Sequence, residues 1–265
     1  GDDKYELDYG CSGNPSYISN YDYYRGEEPF SELEIQAIRD FALEKQFLLS
    51  IAYHSSRSGC VSEKVIYPWR WTETKESPDF EVIDKLGRDI ASLIPTQDGI
   101  TTYLPSGSVS RRGNAHDWFY SQTGCIQYLI EAGTSNIQSN DEQVIEDTID
   151  RNLMGAFHLI NRASGNNFGE LSADKYQING LVKDINSSQT LEAEVTILEM
   201  DGPMLQPRMT DEFGRYRRLL HPGTFTMEVR SKGYKTHLEE NIVPSSGSFT
   251  EKDIEQTSLA LRYFG

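Results

Sequence analysis

The sequence is short of positive charge, of cysteine and of long apolar runs. Its 25 lysines and arginines stand against 41 aspartates and glutamates, a formal net charge of -16 at pH 7 over 265 residues. That balance repels nucleic-acid phosphates and anionic membrane surfaces, so neither is expected as a partner. Nowhere do about 18 apolar residues follow one another, so no membrane span is expected. No secretory leader is visible ahead of Gly1-Asp2-Asp3-Lys4, which reads as a mature or trimmed N-terminus. Three cysteines, Cys11, Cys60 and Cys125, lie far apart and form no CxxC pair, which argues against a cysteine-held metal. Their odd number leaves at least one thiol without an intramolecular disulfide partner, so the redox compartment stays open.

What is present centres on residues 47–69, FLLSIAYHSSRSGCVSEKVIYPW. The apolar run from Phe47 to Tyr53 suits a central strand of a mostly parallel sheet, buried on both faces. It stops at His54, followed by Ser55 and further small polar residues. Ligand sites in open α/β sheets lie just beyond the carboxyl ends of strands, so His54 sits at a candidate site. Alone, such a histidine reads more readily as a hydrogen-bonded structural residue than as a ligand. A second apolar segment, Val65-Ile66-Tyr67, ends at Pro68-Trp69.

The rest of the chain divides in two. Residues 1–30 are polar, tyrosine-rich and loop-like. Ser31 and Glu34 have capping-box spacing ahead of an apolar stripe, Leu33, Ile35, Ile38, Phe41 and Ala42. Ser77-Pro78 opens a helix whose buried face would be Phe80, Ile83, Leu86, Ile90 and Leu93. Residues 96–116 read as loop, and Ile126 to Glu131 as a strand. A long helix capped by Ser139 or Asn140 should bury Ile145, Ile149, Leu153, Ala156, Phe157 and Ile160. From about Tyr176 the segments become short and alternating (YQINGLVKD, AEVTILEM, FTMEVRS, SLALRYF), which predicts a small β-sandwich.

Several motifs, in order, resemble the metallocarboxypeptidases, the carboxypeptidase A/B-like zinc exopeptidases. Asn14-Pro15, Tyr24-Arg25-Gly26 and Pro29-Phe30-Ser31-Glu32 are similar to the family's NP…YRG…PFSE segment. Ser50 to His54-Ser55, longer than the family's SxHS, precedes Tyr67-Pro68-Trp69, similar to its YPW. Asp117-Trp118-Phe119-Tyr120 matches DWxY, and the family's catalytic glutamate fourteen residues after the Asp falls on Glu131. Asp211 to Tyr216, Leu219 to Gly223 and Gly233-Tyr234 resemble the transthyretin-like module of the carboxypeptidase D/N/E-like branch.

The resemblance implies an α/β fold over residues 1–167, the C-terminal part of a mixed-sheet catalytic domain, and an all-β transthyretin-like sandwich over 174–265. It implies a secreted or periplasmic zinc enzyme that hydrolyses C-terminal bonds of peptides or proteins. His54 would be a zinc ligand, and Glu131 the general base and acid. Tyr103 would be the mobile tyrosine, displaced by a six-residue insertion from the family's position, here Val109. His116 and Ser55 would bind substrate, His116 standing at the base of the specificity pocket. The family's first two zinc ligands, on an upstream HxxE, and its Asn-Arg carboxylate clamp have no counterpart. His237-Leu238-Glu239-Glu240 has the HxxE spacing but lies in the β-rich region, where it reads as coincidence. The chain alone is therefore not expected to hold a catalytic zinc, and association with an upstream half is expected. Hydrolysis of cell-wall peptide stems and a non-catalytic binding or scaffold role are the alternatives.

Overall fold

The computed structural model describes residues 27–55, 62–72, 75–107, 114–134, 140–165 and 174–259. The NP and YRG motifs, Cys11 and Cys60 lie outside them. The first half runs α1 (Leu33–Lys45), β1 (Leu49–Ser55), β2 (Lys64–Tyr67), the two-stranded pair β3 (Arg70–Thr72) and β4 (Lys75–Glu76), α2 (Phe80–Ser92), β5 (Leu104–Gly107), α3 (Ala115–Thr123), β6 (Ile126–Ala132) and α4 (Glu142–Ser164). Four strands make a mixed sheet in the order β1-β6-β2-β5. β1 and β6 are parallel, β6 and β2 antiparallel, and β2 and β5 parallel.

The central strand is β6, not β1. Ile126, Tyr128 and Ile130 are buried, while β1 is half-buried at its start and exposed from Tyr53 to Ser55. The apolar run at 47–53 predicted burial on both faces. Instead β1 is an edge strand, and among the described residues nothing pairs with its outer side. An unpaired apolar edge is a surface that folded proteins ordinarily cover.

α2 covers one face of the sheet through Val82, Ile83, Leu86, Ile90 and Ala91. It approaches closely because Gly87 has no side chain: a Cβ there would fall 2.3 Å from the Tyr67 ring. The Tyr67 hydroxyl donates to Asp84 at 2.7 Å, so the buried ring keeps a partner for its polar end.

The other two apolar stripes face outwards. In α1 only Ala42 is buried, and Leu33, Ile35, Ile38 and Phe41 are exposed. No capping box forms: Glu32 is the N-cap without a side-chain cap bond, and Ser31 donates to the Glu32 carboxylate. In α4 the cap is Asp141, accepting from the Gln143 N–H at 3.0 Å. Its buried face is Asn152, Gly155, His158, Leu159, Asn161 and Arg162, whereas Ile145, Ile149, Leu153, Phe157 and Ile160 are exposed. Periodicity located both stripes but not the side on which each is covered. No described helix is long and apolar enough to cross a membrane.

The second half is β-rich: β7 (Gln177–Asp184), β8 (Glu194–Ile197), a 3-10 turn at Leu198–Met200, β9 (Arg215–Leu219), β10 (Phe225–Arg230), β11 (His237–Ile242), β12 (Thr250–Glu251) and β13 (Ile254–Gln256). One sheet is β11-β10-β8. The other centres on β7, flanked by β9 on one side and by β12 and β13 on the other. Tyr216, Leu219, Leu220 and Phe225 are buried, while Tyr234 is only half-buried. Of the last predicted strand, SLALRYF, only Ser258 and Leu259 fall within the described residues, Ser258 in an isolated antiparallel bridge to Tyr234.

Buried apolar residues of both halves form one continuous cluster. Arginines strap them together. Arg162 of α4 donates to the Tyr176 and Leu220 carbonyls at 2.6 and 3.1 Å, Arg208 to the Tyr120 carbonyl at 2.7 Å, and Arg217 to the Ala163 carbonyl at 2.8 Å.

Candidate active site

Parallel pairing of β1 with β6 decides the geometry of the site. In that register His54 stands opposite Glu131, both at the carboxyl ends of their strands. His54 Nδ1 lies 4.0 Å from Glu131 Oε1. Their environments differ sharply: the His54 side chain is 60% exposed and that of Glu131 10%. On its other side Glu131 stands in antiparallel register with Lys64 of β2. A largely desolvated carboxylate beside an accessible imidazole can accept a proton and hold it until a leaving group takes it.

A cleft of about 900 Å3 opens here, walled by Tyr53, His54 and Ser55 from β1, by Gly133 and Thr134 after β6, and by the outward apolar face of α4. Glu131 is not part of that wall. It lies one residue before the wall's Ala132.

Tyr103 does not fit a mobile donor. It is 1% exposed, its N–H is bonded to the Ile94 carbonyl, and its hydroxyl accepts from the Gly133 N–H at 3.0 Å. The insertion puts this tyrosine in the core, at the base of the turn after β6, where it braces Gly133 in its left-handed conformation. His116, near the start of α3, is 3% exposed and lies outside the cleft wall. Its Nε2 is 3.6 Å from Asp117 Oδ1. Burial pulls the His116 pKa down to about 4 and pushes that of Asp117 up to about 6. Ser55 lines the cleft at the exposed end of β1.

A brace around the cleft was not visible in the motifs. Glu63 accepts from the Gln97 N–H at 2.5 Å and lies 3.8 Å from Arg151 Nη1. Arg151 also donates to the Pro95 carbonyl at 3.1 Å, and Thr134 donates to Gln97 Oε1 at 3.0 Å. These contacts tie α4 and two loops to the turn after Glu131. They join residues far apart in sequence, so no local pattern signals them.

The zinc carboxypeptidase family profile matches residues 3–153, and that of the carboxypeptidase regulatory-like domain matches residues 177–257. The chain belongs to the zinc carboxypeptidase family. Mouse carboxypeptidase A1 is 30% identical over 119 residues, which cover 43% of this chain and 26% of that protein. The chain thus spans about a quarter of the length of that relative. Among solved structures, the Bacillus anthracis TIE protein is similar at 19% identity and a TM-score of 0.24, over 31% of this chain and 17% of that one. The group B streptococcus pilus 2b backbone protein is similar at 11% identity and a TM-score of 0.25, over 33% of this chain and 42% of that one. Likeness at that level bears on neither fold nor function.

The family's zinc can be tested against the donors present. A zinc site takes three or four protein ligands, and the cleft offers one imidazole. Among the described residues no group of three His, Cys, Asp or Glu side chains could hold a metal ion. The HxxE of the second half cannot help. It lies on β11, where His237 and Glu240, three apart, point to opposite faces, and His237 Nε2 lies instead 3.4 Å from Glu239. These residues therefore do not fit a zinc by themselves.

Proposed function

We propose that this zinc carboxypeptidase family chain is the C-terminal part of a hydrolase acting on the C-terminal bonds of peptides or proteins in a secreted or periplasmic setting. Glu131 is the general base that takes the proton of the attacking water and the acid that passes it to the leaving amine. His54 contributes one imidazole to a metal centre whose other ligands come from polypeptide outside this chain. Ser55 contacts substrate at the mouth of the cleft. The observation that carries the reading is the register that sets His54 beside Glu131 at one strand end, 4.0 Å apart. The edge of β1, unpaired among the described residues, and the outward apolar faces of α1 and α4 support a missing partner, since they form the surface on which further sheet and helices would pack. Residues from 174 onwards are proposed as a transthyretin-like sandwich, supported by two small sheets sharing one core.

The test joins this chain to an upstream segment carrying HxxE and an Asn-Arg pair, and measures zinc by calorimetry and release of C-terminal amino acids. The joined protein should bind one zinc tightly and hydrolyse peptides, and Glu131→Gln should lower turnover by about 10²-fold or more, because an amide cannot accept the proton. Tight stoichiometric zinc at His54 in the short chain, or full activity in the Glu131→Gln protein, refutes the reading. A joined protein that binds zinc but leaves peptides intact points instead to a binding role.

A further inference from the structure

A second cavity, of about 630 Å3, opens between the two halves of the chain at the opposite end of the sheet from His54. Leu48 lines it where β1 begins, and six residues further on His54 lines the first cleft. At a rise of about 3.3 Å per residue the two sites stand roughly 20 Å apart.

Its charge runs against the composition of the chain. Lys45, Arg208, Arg215, Arg217 and Arg218 line it, against four carboxylates. Three of those, Asp79, Asp211 and Asp253, are already engaged. Asp211 pairs with Arg215 at 2.7 Å, and Asp253 lies 3.6 Å from Lys183 and accepts the Leu181 N–H at 3.0 Å.

Two guanidiniums of this wall, Arg208 and Arg218, share the field of Asp79. Arg218 Nη2 is 3.6 Å from Asp79 Oδ1, with the two side chains 11% and 10% exposed. Asp79 also accepts from the Tyr120 hydroxyl at 2.8 Å. Arg208 is held by the Tyr120 and Gln206 carbonyls at 2.7 and 3.2 Å and lies 5.5 Å from the centroid of the Tyr120 ring. Burial, and then the like charge of Arg218, pull the Arg208 pKa down to about 10, against the opposing pull of Asp79, Tyr120 and Asp201. Arg218 donates one hydrogen bond, to the Val195 carbonyl at 3.3 Å. Each guanidinium has five N–H donors, so several of the pair remain uncommitted. Two pre-oriented guanidiniums with donors to spare suit the spread oxygens of an anion.

We infer that this inter-half cavity is a binding site for an oxyanionic group, phosphate or carboxylate, held by Arg208 and Arg218 and separate from the hydrolytic centre. The experiment is calorimetric titration of the full 265-residue chain with inorganic phosphate and, separately, with succinate, at constant ionic strength. At least one should bind with one site per chain, and the tighter of the two identifies a tetrahedral or a planar anion as the natural group. Arg218→Gln should weaken binding by about tenfold or more, the worth of a charge-assisted bond. Because that change also takes a partner from Asp79, a second variant is needed that leaves the floor intact. Glu251 is an exposed carboxylate of the cavity wall, and Glu251→Gln should tighten binding by about two- to threefold by removing a like charge. Binding of neither anion, or affinities unmoved by both substitutions, overturns the inference. So does loss of binding in His54→Ala, which would put the anion at the other end of the sheet.

Discussion

Arg162→Met tests whether the two halves unfold as one body. Arg162 is 6% exposed and donates to the Tyr176 and Leu220 carbonyls at 2.6 and 3.1 Å. Methionine keeps most of the stem and loses both bonds, each worth about 1.5–3 kcal/mol when the donor is charged. Two effects offset part of that loss. Nη1 has no hydrogen-bond partner, so removing it relieves about 1–2 kcal/mol of unmet burial. The Tyr176 carbonyl also keeps the Leu220 N–H at 2.8 Å. The expected net loss is about 2–3 kcal/mol, which at a urea dependence near 3 kcal/mol per molar moves the midpoint down by about 1 M. The assay follows urea unfolding by tryptophan fluorescence and by far-ultraviolet circular dichroism. All three tryptophans, Trp69, Trp71 and Trp118, precede α4, so fluorescence reports the first half alone. Because the apolar cluster is continuous across both halves, both signals should move together. An unchanged midpoint refutes the hydrogen-bond argument, and a shift in dichroism without one in fluorescence refutes the shared core.

Three further outcomes are expected. Gly180→Ala should lower the melting temperature by about 5–10 °C, from about 2–3 kcal/mol of overpacking. Its Cβ would fall 1.8 Å from the Lys252 carbonyl oxygen, itself held by the Tyr216 hydroxyl at 2.6 Å, and a melting scan within a degree or two of the parent contradicts this. Asp117→Asn should make stability more sensitive to acid. Buried Asp117, raised to about 6, favours folding below about pH 4 and loses that contribution as pH rises through 6, while buried His116, lowered to about 4, favours folding above 6.5 and loses its contribution as pH falls. The two oppose each other between about pH 4 and 6.5, so the variant should lose about 2–3 kcal/mol relative to the parent across that window, and a constant difference in urea midpoints counts against the assignment. Ile149→Glu, on the outward face of α4, should cost this chain less than about 0.5 kcal/mol yet block association with an upstream half in a pull-down, and unimpaired association contradicts the proposed packing surface.

Much of the first half was legible residue by residue. Ile83, Leu86 and Ile90 recur at helical spacing, and they are the buried face of α2. The spacing from Asp117 to Glu131 placed a carboxylate at the end of a strand because α3 and β6 are joined by a short local turn at Gly124. Tyr103 and His116, expected at the cleft, are instead buried outside its wall. Whether a loop residue is mobile or buried depends on where an insertion folds back, and no local pattern records that.

The sequence by itself determined where most of the helices and strands fall, and where His54 and Glu131 stand along their strands. These follow from spacing, turn residues and composition, which act within a few residues. Only the tertiary structure decided that β6 and not β1 is the interior strand, and that the apolar stripes of α1 and α4 point outwards. It also decided that Arg208 and Arg218, ten residues apart in sequence, approach one carboxylate contributed by Asp79. Periodicity marks one face of an element as apolar, but which neighbour covers that face is set by strand order and by partners distant in the chain or outside it.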